Sequence, residues 1–196
     1  MDSNFVFLNS ISKISEDTYS EIKKISTFKI IKAGTEIVKI NEVPSKAYMV
    51  VSGIVRSYLI TESGKEFNKS FYLPISFAAS LTALMRRKPS AFVFQAVTDC
   101  EIYEIDYYKT MHLCNSKPNL KTLYTKVLEY LYIKYEKRII ESITLNAKER
   151  YLELKKQIPD VDSLISQHHI ASYLGITPVQ LSRIRKKIGC PLTNVN

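Results

Sequence analysis

The stretch from Phe28 to about Asp106 is a series of short runs rich in β-branched and aromatic residues. Turn-forming residues separate the runs, among them Gly34, Gly53 and Gly64. Strands of this length and spacing predict a small antiparallel barrel or sandwich. The runs are FKII, EIVKI, AYMVV, IVRSYLI, FNKSFYL, FVFQAV and CEIYEI.

Helical periodicity flanks this β-rich segment on both sides. In residues 15–26, Ser15 is a suitable N-cap, and Ile22 and Ile25 lie on one face of a short helix. A further helix is predicted at residues 147–157, because the next breaker is Pro159. Residues 159–163 are predicted to form a loop.

A long helix is predicted from Pro118, at its first position, to Ser142, because no Gly and no other Pro interrupts this stretch. The apolar stripe on it extends for about three to four turns, which favours a coiled-coil-like seam between two copies of the chain. The alternative is that the helix packs only on its own barrel. The expected seam residues are Leu120, Leu123, Val127, Tyr130 and Leu131.

Residues 166–187, SQHHIASYLGITPVQLSRIRKK, have the pattern of two short helices joined by a tight turn. Ser166 and Thr177 are suitable N-caps, and Gly175 can adopt the positive φ of the turn. This is the pattern of a DNA-binding helix-turn-helix, although helical hairpins also occur in proteins that never touch DNA. Apolar residues fall where the two helices must pack, at Ile170, Ala171, Leu174, Ile176, Leu181 and Ile184.

Polar and basic residues on this hairpin are the candidate DNA contacts. Amide and guanidinium groups can read base edges, and the basic side chains at the end can grip phosphates. Gln180 fits two roles equally, since it can read a base or close a capping box with Thr177. The candidates are Ser166, Gln167, His168, Thr177, Gln180, Ser182, Arg183, Arg185, Lys186 and Lys187.

Charge and composition narrow the class of protein. The 196 residues carry a formal charge of +9, of which +7 falls on residues 117–196, so a polyanion is expected to bind the C-terminal part. Three widely spaced cysteines, Cys100, Cys114 and Cys190, fit neither a disulfide framework nor a Cys-x-x-Cys metal site. No apolar run approaches a signal-peptide core or a membrane span, so we expect a cytoplasmic protein with no membrane partner.

With these elements in this order, nearly the whole chain resembles the Crp/Fnr family of bacterial transcription regulators. The likeness rests on the order of elements and on the LGITPVQLSRIRKK stretch. It implies an α+β fold with three parts. These are a cyclic nucleotide-binding-like β-roll with an N-terminal helix (1–116), a long dimerisation helix (117–143) and a C-terminal helix-turn-helix domain (144–196).

The resemblance also implies a function. Family members act as homodimers that bind an inverted-repeat operator in double-stranded DNA, sense a small-molecule effector and contact RNA polymerase. Arg183 corresponds to an arginine that reads a base in the family. The family commonly continues into a β-hairpin wing, for which the nine residues after Lys187 are too few.

The sequence departs from the family where cyclic AMP would bind. Ser76-Phe77-Ala78-Ala79-Ser80-Leu81, followed by Lys88-Pro89-Ser90, replaces the glycine, glutamate and arginine that hold the nucleotide. A buried phosphate without a cationic partner is unfavourable, so cyclic AMP is not expected to bind and no other cofactor is indicated. Ser80, Arg86, Arg87 and Ser90 are candidates for an anionic effector, although a run of three cations such as Arg86, Arg87 and Lys88 is more often a solvated loop.

Two other classes of function would require features that the sequence lacks or does not need. A cupin-like small-molecule-binding protein or enzyme would hold a metal on clustered histidines, but residues 28–106 contain no histidine and no metal site is predicted. A basic helix docking on a membrane or an acidic protein would not need the spacing of Ala171, Gly175 and Leu181. The sequence therefore predicts a non-enzymatic, homodimeric DNA-binding regulator with a sensor domain.

Overall fold

A computed structural model describes residues 3–189 and has the predicted α+β architecture, with eight strands between two groups of helices. No helix in this part of the chain is both long and apolar enough to cross a membrane. The elements, in chain order, are α1 (Ser3–Ile11), α2 (Glu16–Lys24), β1 (Ser26–Ile31), β2 (Glu36–Val38), β3 (Lys46–Ser52), β4 (Val55–Ile60), β5 (Glu66–Tyr72), β6 (Ser76–Ala78), α3 (Leu81–Arg86), β7 (Val93–Ala96), β8 (Cys100–Asp106), α4 (Tyr107–Ser116), α5 (Pro118–Thr144), α6 (Ala147–Gln157), α7 (Val161–Leu164), α8 (Gln167–Leu174) and α9 (Pro178–Lys187).

The strands form two four-stranded sheets, in the orders β1-β8-β3-β6 and β2-β7-β4-β5. Every strand pairing is antiparallel, which confirms the predicted barrel or sandwich. Side chains from both sheets fill the space between them, including Tyr48, Tyr72 and Phe94. The rings of Tyr72 and Phe94 stack with their centroids 5.7 Å apart. The interior of the roll is therefore packed with large aromatic groups.

Gly53 forms the tight turn between β3 and β4. Its φ is +81°, and a Cβ atom at this position would lie 2.3 Å from the carbonyl oxygen of Asp99. Only glycine tolerates both the left-handed backbone and this close approach. The predicted turn is confirmed, and it brings the connection between β3 and β4 against the start of β8 at Cys100.

The N-terminal helices pack on the outer face of the β1-β8-β3-β6 sheet. The predicted N-cap of α2 is confirmed, because the Ser15 hydroxyl accepts a hydrogen bond from the Thr18 N–H at 3.1 Å. The sequence did not predict α1, α3 or α4. Leu8 of α1 and Ile22 of α2 join Met49 of β3 and Leu123 of α5 in one apolar cluster.

Helix α5 matches the predicted long helix but presents a different face to solvent. Leu120 and Leu123 are only 4% and 5% exposed, because they pack against the N-terminal helices of their own chain. The prediction that these two residues form a seam with a second copy is wrong. Val127 is half-buried in the same cluster and Leu131 is also half-buried, whereas Tyr130 is exposed.

The C-terminal helices build a separate apolar cluster around Tyr151 and Leu154 of α6. Helix α6 spans the predicted residues, and its N-cap Asn146 forms a capping box with Glu149. The loop predicted at residues 159–163 is wrong in part, because Val161–Leu164 forms the short helix α7. Val161 of α7 is fully buried in the cluster.

Candidate nucleic-acid interface

Helices α8 and α9 form the predicted hairpin, and local hydrogen bonds fix its two helix starts. The Ser166 hydroxyl accepts from the His169 N–H at 3.3 Å. Gly175 ends α8 with a φ of +69°. The Thr177 hydroxyl accepts from the Gln180 N–H at 3.2 Å, and Gln180 Oε1 accepts from the Thr177 N–H at 2.9 Å. The capping role of Gln180 is therefore confirmed, and base reading by its amide stays a prediction.

Apolar packing sets the angle between α8 and α9. Ile170, Ala171 and Leu174 of α8 and Leu181 of α9 are buried together against α6. The Gln167 side-chain amide donates to the carbonyl oxygen of Pro178 at 2.7 Å and joins the two helix starts. Because Gln167 makes this contact, it positions α9 relative to α8. Its contact with DNA stays a prediction.

The opposite face of α9 is exposed and strongly basic. Arg183, Lys186 and Lys187 all lie in solvent. Thr177 and Gln180 are exposed at the start of the same helix, with Ser182 half-buried beside them. A helix with an exposed, positively charged face can enter the major groove of DNA, where phosphates flank the base edges. His168 is exposed on α8, and Ser166 is half-buried at the N-cap of that helix.

The prediction that Arg185 contacts DNA is wrong. Its side chain is 1% exposed and its Nη2 donates to Asp162 Oδ1, on α7. Tyr151 donates its hydroxyl to the other oxygen of the same carboxylate at 2.5 Å. Because Arg185 is buried with a carboxylate partner, it lies on no surface that DNA can reach. Its ion pair instead connects α9 to α7 inside the domain.

The sequence predicts no β-hairpin wing after α9. The prediction concerns the chain after Lys187, and residues 190–196, with Cys190 among them, lie outside the described residues. Within the described part of the chain, Cys100 and Cys114 are buried free thiols. No group of three or more His, Cys, Asp or Glu side chains in residues 3–189 is arranged to hold a metal ion.

Comparison with known proteins supports this assignment of elements. Residues 28–117 match the family model of the cyclic nucleotide-binding domain. A sequence comparison with curated proteins finds no match. Among solved structures, the chain resembles FixK2 from Bradyrhizobium japonicum at 20% identity and a TM-score of 0.70, covering 84% of this chain and 85% of that one.

Two further structures show the same likeness. CLP of Xanthomonas campestris, described as a c-di-GMP responsive global regulator, is 15% identical with a TM-score of 0.69, over 89% of this chain and 92% of that one. A protein of Eubacterium rectale assigned to the Crp/Fnr family of transcriptional regulators is 13% identical with a TM-score of 0.70, over 90% of this chain and 84% of that one. The chain is Crp/Fnr-like in fold.

In this Crp/Fnr-like fold, the four residues predicted to hold an anionic effector do not form one site. Ser80 and Ser90 are buried, and their hydroxyl oxygens lie 2.7 Å apart. Ser90 also donates to the carbonyl oxygen of Phe92 at 2.7 Å. Arg86 and Arg87 are exposed at the far end of α3, roughly 9 Å along the helix axis from Ser80. The structure therefore separates the two serines from the two arginines, and an effector role for either pair stays a prediction.

The Crp/Fnr-like chain has a polar contact between its two halves that the sequence did not reveal. Arg56 of β4 is 3% exposed, and its Nη1 lies 2.6 Å from Glu66 Oε2 and 3.0 Å from His169 Nδ1. Ser172 of α8 donates its hydroxyl to the Glu66 carbonyl at 2.8 Å and accepts from the Asn68 N–H at 3.0 Å. Helix α8 is thus hydrogen-bonded to strand β5 of the roll.

The charge of Arg56 is well accommodated in this contact. Its Nε and Nη2 both donate to Gln95 Oε1, at 2.9 and 2.6 Å, and its guanidinium stacks on the Tyr58 ring at 3.7 Å. The sequence signal was a lone arginine inside an apolar strand, which requires polar partners when buried. A second link runs from α5, where Arg138 donates to the carbonyl oxygen of Tyr173 and stacks on its ring.

Proposed function

We propose that the chain is a transcription regulator that binds double-stranded DNA as a homodimer, with α9 in the major groove. The observation that carries the proposal is the exposed basic face of α9, Arg183, Lys186 and Lys187, on a helix whose start is capped and whose other face is buried. The structures it resembles include proteins described as regulators. In this role Arg183 reads a base edge, while the two lysines grip phosphates.

The second half of α5 supports the homodimer. Its outward face carries large apolar side chains that are more than half exposed in the single chain. Tyr132 and Ile139, and likewise Ile133 and Ile140, are seven residues apart, which is the repeat length of a coiled coil, and Ile143 extends the apolar face by one turn. A two-fold dimer would present α9 twice to an inverted repeat. The exposed residues are Tyr132, Ile133, Ile139, Ile140 and Ile143, hereafter the α5 stripe.

The β-roll is proposed to be the sensor domain of this regulator. It lies next to the first half of α5, and it is hydrogen-bonded to α8 through Arg56 and Ser172. A change in the roll can therefore reach the DNA-binding helices through both elements. Regulation of transcription further implies a contact with RNA polymerase, which we propose without assigning a surface.

Selection of bound DNA from a random pool at stated salt tests the proposal. We expect enrichment of an inverted repeat whose half-site centres lie about 10 base pairs apart, one turn of DNA. Changing Arg183, Lys186 and Lys187 together to alanine should abolish the enrichment. A charge-matched control changes the exposed Arg86, Arg87 and Lys88 of the roll, and should leave the enrichment intact. Failure of the unaltered chain to enrich any sequence would show that it does not read DNA.

A further inference from the structure

An apolar cavity of about 290 Å³ lies outside the β-roll, between the sheet's outer face and the helices. It is distinct from the interior of the roll, which aromatic side chains fill. Leu8 and Ile22 of the N-terminal helices line one side, Met49 and Tyr103 of the sheet line another, and Leu123 of α5 completes the wall. Its position brings the roll, the N-terminal helices and α5 into contact with any molecule that occupies it.

The lining of the cavity is almost wholly apolar, with one charged group. Lys23 of α2 is the only lining residue with a formal charge among the residues described, and it is exposed. The neighbouring Lys24 pairs with Glu21 at 2.6 Å, whereas no carboxylate in residues 3–189 forms such a pair with Lys23. The Lys23 ammonium lies over the Tyr19 ring, 5.0 Å from its centroid. An apolar space with a single cation at its edge suits an apolar molecule with one anionic end.

We propose that this cavity binds an apolar carboxylate of medium chain length, with the hydrocarbon inside and the carboxylate at Lys23. Size supports the choice, because an apolar cavity of about 150 Å³ holds benzene, and this one is about twice as large. The matching ligand has about ten to twelve non-hydrogen atoms, as an eight- to ten-carbon fatty acid has. Binding rests on the cavity alone, and its regulatory consequence rests on the function proposed above.

Helix α5 gives the bound molecule a route to the DNA-binding helices. Leu123 and Val127 of its first half line the cavity. Fifteen residues after Leu123 in the same helix, Arg138 donates to the carbonyl oxygen of Tyr173 in α8. A ligand that moves the first half of α5 therefore acts on the same rigid element that contacts α8 and carries the α5 stripe. Occupancy of the cavity is expected to change operator affinity.

Calorimetry with sodium decanoate, below its micelle concentration, tests the binding step. We expect saturable binding of one molecule per chain. Ala47→Phe places a phenyl ring in the cavity and should reduce affinity at least tenfold, while Ala91→Phe, at an exposed site outside the lining, should leave it unchanged. Absence of decanoate binding to the folded chain, or binding that survives Ala47→Phe, would overturn the proposal.

The role of Lys23 has its own test. Lys23→Met should lower decanoate affinity by about threefold to fivefold, as expected for one exposed ion pair. Lys24→Met is the matched control and should have no effect. Decanol should bind the unaltered chain as weakly as decanoate binds Lys23→Met. Equal affinity of the unaltered chain for decanol and decanoate would show that Lys23 does not hold the carboxylate.

DNA binding, measured on the same samples, distinguishes a failure of the cavity proposal from a failure of the proposed function. Fluorescence anisotropy with the selected operator should change on addition of decanoate, and Ala47→Phe should abolish that change. Decanoate binding without any DNA binding would refute the proposed function and support the cavity. DNA binding without decanoate binding would overturn the cavity proposal and support the function.

Discussion

Arg56 Nη1 lies 3.0 Å from His169 Nδ1 and joins the β-roll to the first helix of the helix-turn-helix across 113 residues of sequence. A guanidinium can only donate hydrogen bonds, so His169 must accept through Nδ1 and carry its proton on Nε2. The contact therefore requires a neutral imidazole. Glu66, the other charged group at this place, pairs with Arg56 at 2.6 Å.

The stability of this contact should depend on pH. Burial, the Arg56 charge beside it and the neighbouring His168 lower the pKa of His169 from 6.5 to about 4, with Glu66 acting in the opposite direction. The folded state thus binds a proton less readily than the unfolded state does. The stabilisation is complete above about pH 6.5 and is lost progressively as the pH falls towards 4.

Urea unfolding at pH 7.5 and pH 5 measures this loss. His169→Asn keeps an acceptor near the position of Nδ1 but cannot be protonated, so it should lose less stability on acidification than the unaltered chain. His168→Asn changes an exposed histidine and should retain the full pH dependence. The same pH dependence in His169→Asn would mean that His169 is not the group responsible.

Alanine substitution of the two arginines of α9 should affect two different properties, DNA affinity for Arg183 and folding stability for Arg185. Arg183→Ala should weaken binding to the selected operator by about 1 to 3 kcal/mol and relax the preference at one base pair per half-site, with urea unfolding unchanged. Arg185→Ala should lower the free energy of unfolding by about 1.5 to 3 kcal/mol, because it removes a buried charged hydrogen bond from Asp162, which keeps only Lys155, 3.4 Å from Oδ2, and the Tyr151 hydroxyl among the contacts described. Anisotropy and urea unfolding of both variants are the measurements.

Lys186→Ala tests the proposed contact between Lys186 and a DNA phosphate. It should weaken binding to all DNA sequences alike and lower the salt slope by about 1 for each phosphate that the lysine neutralises. Anisotropy titrations at several salt concentrations measure this slope. If Lys186→Ala alters the selected sequence while Arg183→Ala does not, the placement of α9 in the groove is wrong.

The α5 stripe should carry the dimer. Ile140 is 53% exposed, and Ile140→Glu would bring two unpaired carboxylates together in an apolar contact. Light scattering should then report a monomer with unchanged circular dichroism. Leu123→Glu should instead unfold the N-terminal cluster, because Leu123 is buried in its own chain.

Ile30→Glu is the matched control for the dimer experiment. Ile30 is 67% exposed on β1, away from α5, and its replacement should leave the dimer intact. A dimer that persists in Ile140→Glu would locate the interface outside the stripe.

Cyclic AMP should not bind. Ser80 and Ser90 bond each other, and Tyr72 and Phe94 stack in the space between the sheets. In residues 3–189, no arginine is hydrogen-bonded to Ser80 or Ser90 to offset the burial of a phosphate, and Arg86 and Arg87 are exposed at the far end of α3. Calorimetry with cyclic AMP and cyclic GMP should show no heat of binding, and a micromolar dissociation constant would contradict the packing argument.

Local pattern predicted most of the fold, because caps and turns act over a few residues. Ser15, Gly53, Thr177 and Gly175 all occupy the positions that their chemistry indicates. Helix α1 was missed because its short apolar run, Phe5 to Leu8, gives no clear period before the partner surface is known. Short elements of this kind are defined by tertiary packing, and a single sequence does not show it.

The errors in the candidate site have the same origin. Helix α5 carries apolar residues on two faces, and only the packing of α1 and α2 decides that Leu123 turns inward while Ile140 stays free. Arg183 and Arg185 are equivalent by residue type, and the difference between them comes from Asp162, which is 23 residues distant from Arg185. The sequence shows which charged residues a helix carries, but it does not show which of their side chains are buried.

The burial of Arg185 limits how this protein can be re-targeted to new operators. Exchange of α9 for the corresponding helix of another regulator would remove the contact between α9 and Asp162 unless an arginine is kept at position 185. Positions 183, 186 and 187 face solvent and can be randomised without disturbing the scaffold. A library built on this chain should therefore hold Arg185 and Asp162 constant as a unit, because variants that change either residue are expected to lose stability whatever their specificity.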